Sequence, residues 1–377
     1  MTHLKKRIHL IAAARPNFMK IAPLYHVLAR SGWAEPVIVH TGQHYDDNMS
    51  DAFFRDFHLP EPHIHLGVGS GSHAEQTGRV MMAYERVLLK DPPDLLVVVG
   101  DVNSTLATTI AAAKLGVPIA HLEAGLRSFD MSMPEEINRL VTDRLSHYLW
   151  TPSQDGDANL MQEGVAPEKI QFVGNIMIDA FEMLREKIEA RSVCTRHHLK
   201  AGQYGVVTLH RPSNVDDDDT LKALCEVLVR ISKKIPLVFP VHPRTAKRLA
   251  ETSLLDGLKA QPNLTFCEPL GYIEFMSLVC DARFVLTDSG GVQEETTYLK
   301  IPCLTLRPNT ERPVTVTTGS NRLCTIKNIE ASVDGILQAP CHGFEVPELW
   351  DGQTAQRVAS SIRKIVGAEE EGVAHGA

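Results

Sequence analysis

The 377 residues, 44% hydrophobic and 22% charged, have an ordinary globular composition and are too long for one core, so two domains are expected. A formal net charge of −8 excludes a general affinity for nucleic acid or an anionic membrane, and any anionic ligand has to be held by local basic residues. Seven cysteines, all from Cys194 onward, form no CxxC pair and no zinc-like cluster with histidine; they read as reduced core thiols of a cytoplasmic protein.

In chain order, "MTHLKKRIHLIAAARP" runs into Arg15-Pro16 after a strand-length apolar run, so no signal peptide is expected, and no apolar run approaches a membrane span. Strand candidates in the first half are "IHLIAAA", "PVIVHT", "DLLVVVG", "VPIAHLEA", "HYLWTP" and "KIQFVG"; in the second they are "YGVVTLH", "IPLVFPVH", "NLTFCE", "RFVLTDS", "PCLTLR" and "RLCTI". Many are apolar on both faces, as parallel strands covered on both sides are. Helical patterns lie between them, at Ser104–Leu115, Glu135–Leu145, Thr220–Lys233 and Val292–Leu299. This alternation predicts two Rossmann-like, doubly wound α/β domains facing a cleft, with ligands outside the carboxyl ends of the strands. The break is expected at "VGNIMIDAF": a first domain over 1–174, a second over 175–365, and a frayed tail over 366–377.

Titratable residues recur where these strands end. Arg15 and Lys20 follow the first strand, Asp101 follows the third and Glu123 the fourth. In the second half come His210, His242, Ser289 and Arg312. Each has a plain structural alternative: Asp101 and Ser289 suit helix N-caps, Glu135 after Pro134 suits a helix start, and a lone histidine is more often structural. Their accumulation on one rim points to a site. "DSGG" before a helix offers free N–H groups and close backbone approach for a pyrophosphate. Glu295, one turn in, is wrong for phosphate and right for ribose hydroxyls, and together the two features describe a nucleoside diphosphate.

The motifs "ARPNFMKIAPL", "TGQH", "GDVNST", "HLEAGLRS", "MPEEINR", "TLHRPSN", "FPVHPR", "LTDSGGVQEE" and "RPNTERP" resemble, in the same order, those of the non-hydrolysing UDP-N-acetylglucosamine 2-epimerases. The resemblance runs from about Ile8 to Thr325. It implies a GT-B-like fold, a homodimer without a cofactor, and a cytoplasmic enzyme that supplies precursors for cell-surface polysaccharide. By motif it makes Asp101, Glu123, Glu135 and His210 catalytic. It places Ser289, Gly290, Gly291 and Glu295 on the diphosphate and ribose, and Arg15, Lys20, Arg139, His242, Phe275 and Arg312 on nucleotide or sugar. Ser213 stands where many relatives have an acid. Gln43 of the family's activating second site is kept, but Asp46 replaces its second glutamine and no arginine stands near Gly69, which argues against activation by substrate.

Inverting C2 of a UDP-sugar requires removal of a proton that no carbonyl acidifies. Transient oxidation needs a nicotinamide, and no G-x-G-x-x-G follows the first strand; "GVGSGS" at 67–72 follows no clear strand and lacks the spacing. Elimination of UDP across C1–C2 and its re-addition needs a carboxylate base, an acid on the other face and cations for the diphosphate, and this matches the residues. Alternatives are epimerisation of a related UDP-sugar such as a diacetamido uronic acid, hydrolysis that releases N-acetylmannosamine and UDP, a GT-B glycosyltransferase, and an inactive UDP-sugar-binding protein.

Overall fold

The computed structural model of the chain describes residues 5–13, 15–42, 54–338 and 343–368, and of Arg15 only the backbone. Seven strands make the first sheet: β1 (Lys6–Ala12), β2 (Ala34–His40), β3 (Ile64–His65), β4 (Leu95–Val99), β5 (Ile119–Leu122), β6 (Tyr148–Thr151) and β7 (Ile170–Phe172). Their order is β3-β2-β1-β4-β5-β6-β7 and all pairings are parallel. β4 reads LLVVV with every residue buried, because helices cover both faces of a parallel sheet. The short β3 was not among the expected strands, so "GVGSGS" does follow a strand. That stretch ends in Ser72, which caps the helix His73–Lys90 through a reciprocal bond with Glu75 and holds no phosphate fingerprint.

The second sheet contains β8 (Gly205–Thr208), β9 (Leu237–Pro240), β10 (Leu264–Cys267), β11 (Phe284–Thr287), β12 (Cys303–Thr305) and β13 (Asn321–Leu323). Its order is β10-β9-β8-β11-β12-β13, again all parallel. Each sheet is doubly wound. Chain direction across the sheet reverses between β1 and β4 in the first and between β8 and β11 in the second, and such switch points are where open α/β sheets bind ligands.

The chain forms two compact units, Met1–Met183 with Glu348–Ala377, and Leu184–Pro347. The expected second domain, 175–365, therefore loses both ends to the first unit. The lower boundary falls inside the helix Ile176–Glu189. At the upper end, the helix Thr354–Ile365 packs against the helix Arg15–Arg30 of the first unit. Three features hold it there. The buried Asp179 carboxylate accepts from Ala355 N at 2.7 Å and Thr354 N at 3.2 Å; Trp350 Nε1 donates to Pro152 O at 2.8 Å; and Arg357 Nη1 donates to Val173 O at 2.9 Å. Gly174 lets the returning chain close in: at φ +91°, a Cβ there would lie 2.1 Å from the Leu349 carbonyl oxygen. Among the described residues, no helix is long and apolar enough to cross a membrane.

Candidate active site

In the first unit, the helix Arg15–Arg30 begins directly after β1, and Asn17 Nδ2 fastens it to the end of β4 by donating to Val99 O at 3.0 Å. One turn in, the buried Lys20 ammonium forms an ion pair with the buried carboxylate of Glu123, the residue just past β5. Glu123 is held at φ 73°, a region that strains any residue but glycine. The backbone fixes it there, since Glu123 N and Ala124 N both donate to Trp150 O at 3.0 Å.

Asp101, half-buried, follows β4 and pairs with Arg139 Nη1. Arg139 is buried on the helix Pro134–Leu145 and is gripped from behind by Glu136, whose Oε2 lies 2.9 Å from Nε and 2.6 Å from Nη2. Glu136 also accepts Phe129 N at 2.8 Å and Ser128 N at 3.0 Å, so the second acid of "PEE" is an internal clamp. The first, Glu135, stands exposed at the helix start. A Cβ built on Gly100 would lie 3.3 Å from Lys20 Nζ and 3.7 Å from Glu123 Oε2. The residue before Asp101 thus abuts the Lys20–Glu123 pair, and two carboxylate–cation pairs meet at the switch point of the first sheet. The Arg15 side chain, Gln43 and Asp46 lie outside the described residues.

In the second unit, His210 follows β8 and Asp288 follows β11. Asp288 is fully buried, with Oδ1 3.0 Å from His210 Nδ1. It also accepts His210 N at 3.0 Å, Arg211 N at 2.9 Å and Asn214 Nδ2 at 3.0 Å. Burial pushes its carboxyl up, and these donors, His210 foremost, more than offset that and hold it below the usual range. The exposed His242 ring lies 5.3 Å from that of His210, centroid to centroid, and its Nδ1 accepts Arg244 N at 3.2 Å. Partial desolvation of the imidazole at the protein surface, and then the neighbouring His210, push its pKa down.

Ser289 is the N-cap of the helix Gly290–Tyr298. A Cβ on Gly290 would come within 2.8 Å of Glu311 Oε1, whereas Gly291 faces open space. The two glutamates of "QEE" have different partners. Glu294 lies 2.9 Å from Arg312 Nε, and Glu295 Oε1 accepts from Tyr272 OH at 2.7 Å. Arg312 also meets Glu311 at 2.6 Å. Phe275, half-buried, lies three residues beyond Tyr272 on the helix Tyr272–Cys280. Sequence reasoning missed Asp288 and Tyr272, whose roles come from partners far away in sequence; the only signal for Asp288 was its place at a strand end in "TDSGG".

A family model described as UDP-N-acetylglucosamine 2-epimerase matches residues 26–363. The chain belongs to that family. It is 44% identical over 325 residues to the UDP-N-acetylglucosamine 2-epimerase of Methanocaldococcus jannaschii, covering 84% of this chain and 88% of that one. The crystal structure of the M. jannaschii enzyme with UDP-GlcNAc and UDP superposes with a TM-score of 0.86 at 40% identity, over 95% of this chain and 99% of that one. The chain is also 40% identical over 370 residues to the UDP-2,3-diacetamido-2,3-dideoxy-D-glucuronate 2-epimerase of Pseudomonas aeruginosa, covering 95% and 100%. The epimerase family shares the GT-B-like class of two Rossmann-like domains expected from the sequence.

Proposed function

We propose that this family member interconverts UDP-N-acetylglucosamine and UDP-N-acetylmannosamine, working as a cytoplasmic homodimer that supplies precursors for cell-surface polysaccharide. A carboxylate takes the C2 proton, the C1–O bond breaks with its electron pair leaving on the β-phosphate of UDP, and a C1=C2 bond forms. Re-addition remakes the C1–O bond while a proton reaches C2 on the opposite face. Two of Asp101, Glu123 and Glu135 serve as base and acid, with the cations of Lys20 and Arg139 paired to Glu123 and Asp101, and Arg15 is a contact to nucleotide or sugar. On the second unit, Ser289, Gly290 and Gly291 receive the diphosphate at a helix N-terminus, Glu295 the ribose, and His210 the leaving phosphate, with His242, Phe275 and Arg312 beside them.

The observation that carries this reading is the match to the M. jannaschii epimerase across most of both chains. Supporting it, the expected acids Asp101 and Glu123 each face a buried cation at one switch point. The test is a set of single variants, Asp101→Asn, Glu123→Gln and Glu135→Gln. Turnover should fall by about 10²–10⁴-fold in those that transfer a proton, with UDP affinity kept. Near-normal turnover in all three contradicts the assignment. A second reading, C2 epimerisation of a diacetamido uronic acid, is favoured by the complete coverage of the P. aeruginosa relative. Turnover of that UDP-sugar in preference to UDP-N-acetylglucosamine would establish it.

A further inference from the structure

His121 lies on β5, two residues before Glu123, and is completely buried. Its Nε2 is 3.0 Å from the carbonyl oxygen of Gly100, the residue before Asp101. Its Nδ1 is 2.5 Å from Asp143 Oδ1. Asp143 belongs to the helix Pro134–Leu145, which also carries Glu135 and Arg139. One ring therefore ties together the strand end that presents Asp101, the strand that presents Glu123 and the helix that presents Glu135.

We propose that His121 is a positioning residue for the acid cluster and carries a proton on both ring nitrogens to hold it. The Gly100 carbonyl only accepts, and so does an ionised carboxylate. Either neutral tautomer would aim a lone pair at one of them, inside a site where an unmade bond is costly. The other oxygen of the Asp143 carboxylate has donors of its own, which leaves Oδ1 to the ring. Asp143 Oδ2 lies 2.7 Å from Arg127 Nη1 and accepts Gly125 N at 3.1 Å, and Arg127 forks onto Glu163 at 2.7 and 2.8 Å. A histidine here is thus a charged bracket: it holds the Gly100 carbonyl, just before Asp101, and being completely buried it does so without touching substrate.

The activity readout rests on the proposed epimerisation, whereas ring protonation does not. In the wild-type protein at about pH 7, long-range proton–nitrogen NMR of the His121 ring, assigned through its own backbone, should show two protonated nitrogens. A bare nitrogen overturns the proposal. In His121→Gln, whose amide can serve Gly100 O but places no cation against Asp143, kcat should fall at least about ten-fold while KM for the UDP-sugar stays within about three-fold. Unchanged kcat, or a loss expressed wholly in KM, in a folded variant also overturns it. Should the variant not fold, the wild-type ring measurement decides. Absence of turnover in the wild-type protein would count against the proposed reaction and leave the ring result standing.

Discussion

The carboxylate of Asp288, fully buried at the end of β11, faces the ring of His210 at the end of β8, with Oδ1 3.0 Å from Nδ1, although the two stand 78 positions apart in the chain. The two adjoining strands at the switch point of the second sheet thus share one hydrogen-bonded device. The carboxylate fixes His210 through its Nδ1 and leaves Nε2 for a ligand. This is the arrangement by which a second residue sets a histidine's tautomer and aim.

Replacing Asp288 by Asn should keep one acceptor oxygen and lose the charge. Thermal unfolding should show a loss of about 1–3 kcal/mol, because four donors converge on this carboxylate and an amide cannot satisfy them all. Turnover should drop by about ten-fold or more, since His210 is then free to adopt the other tautomer. A stable Asp288→Asn protein with full activity would show that His210 does not depend on it.

Lys20 and Glu123 form a buried pair, so removing one partner leaves the other charge uncompensated. Lys20→Met should destabilise the fold by about 3–5 kcal/mol, and the double change Lys20→Met with Glu123→Gln should recover most of that loss. Activity should stay low in both proteins, because the acid or its cation is missing in each. Equal stability of the single and double variants, measured by denaturant unfolding, would mean that the pair is not coupled.

Stability should respond to acid through two groups of the first unit that oppose each other. Burial, and then Arg7, lower the pKa of His9 from 6.5 to about 4, so its contribution is present above pH 6.5 and is lost as pH falls toward 4. Burial raises Asp179 from 3.8 to about 6 against the pull of the Ala355 and Thr354 N–H groups, so its contribution is complete below pH 3.8 and is lost as pH rises through 6. Each displacement corresponds to roughly 3 kcal/mol. Relative to wild type, His9→Gln should therefore gain stability between about pH 7 and pH 4.5, and Asp179→Asn should lose it. Unfolding free energies whose differences from wild type are independent of pH would contradict both assignments.

Gly174→Ala should separate the C-terminal helix from its seat. The added carbon would overlap the Leu349 carbonyl at a positive φ, at a cost of roughly 1–3 kcal/mol or more. Protease sensitivity of the segment from Glu348 onward should rise with the fall in melting temperature. An unchanged melting temperature would show that the returning chain tolerates the displacement.

Much of this architecture is written locally. "DLLVVVG" and "RFVLTDS" are apolar on both faces and become the fully buried β4 and β11, and the residues ending them, Asp101 and Ser289, fall at the two switch points. The glutamates were harder. "PEE" and "QEE" each hold one acid in an internal ion pair, Glu136 with Arg139 and Glu294 with Arg312, and nothing in the local pattern says which of two adjacent carboxylates takes the arginine. The partnerships of Asp288 with His210 and of His121 with Asp143 depend on sheet register and helix placement across long stretches of chain. The return of the helix Thr354–Ile365 to the first unit was equally hidden, because its anchors, Asp179 and Pro152, lie 175 and 198 residues away from their partners.

Incubation of the purified protein with UDP-N-acetylglucosamine in deuterated water, followed by proton NMR, tests the central claim most directly. Epimerisation by elimination and re-addition predicts UDP-N-acetylmannosamine carrying deuterium at C2, with deuterium also washed into the remaining substrate as the reaction reverses. Product that keeps its C2 proton, or no turnover while UDP still binds, would contradict it.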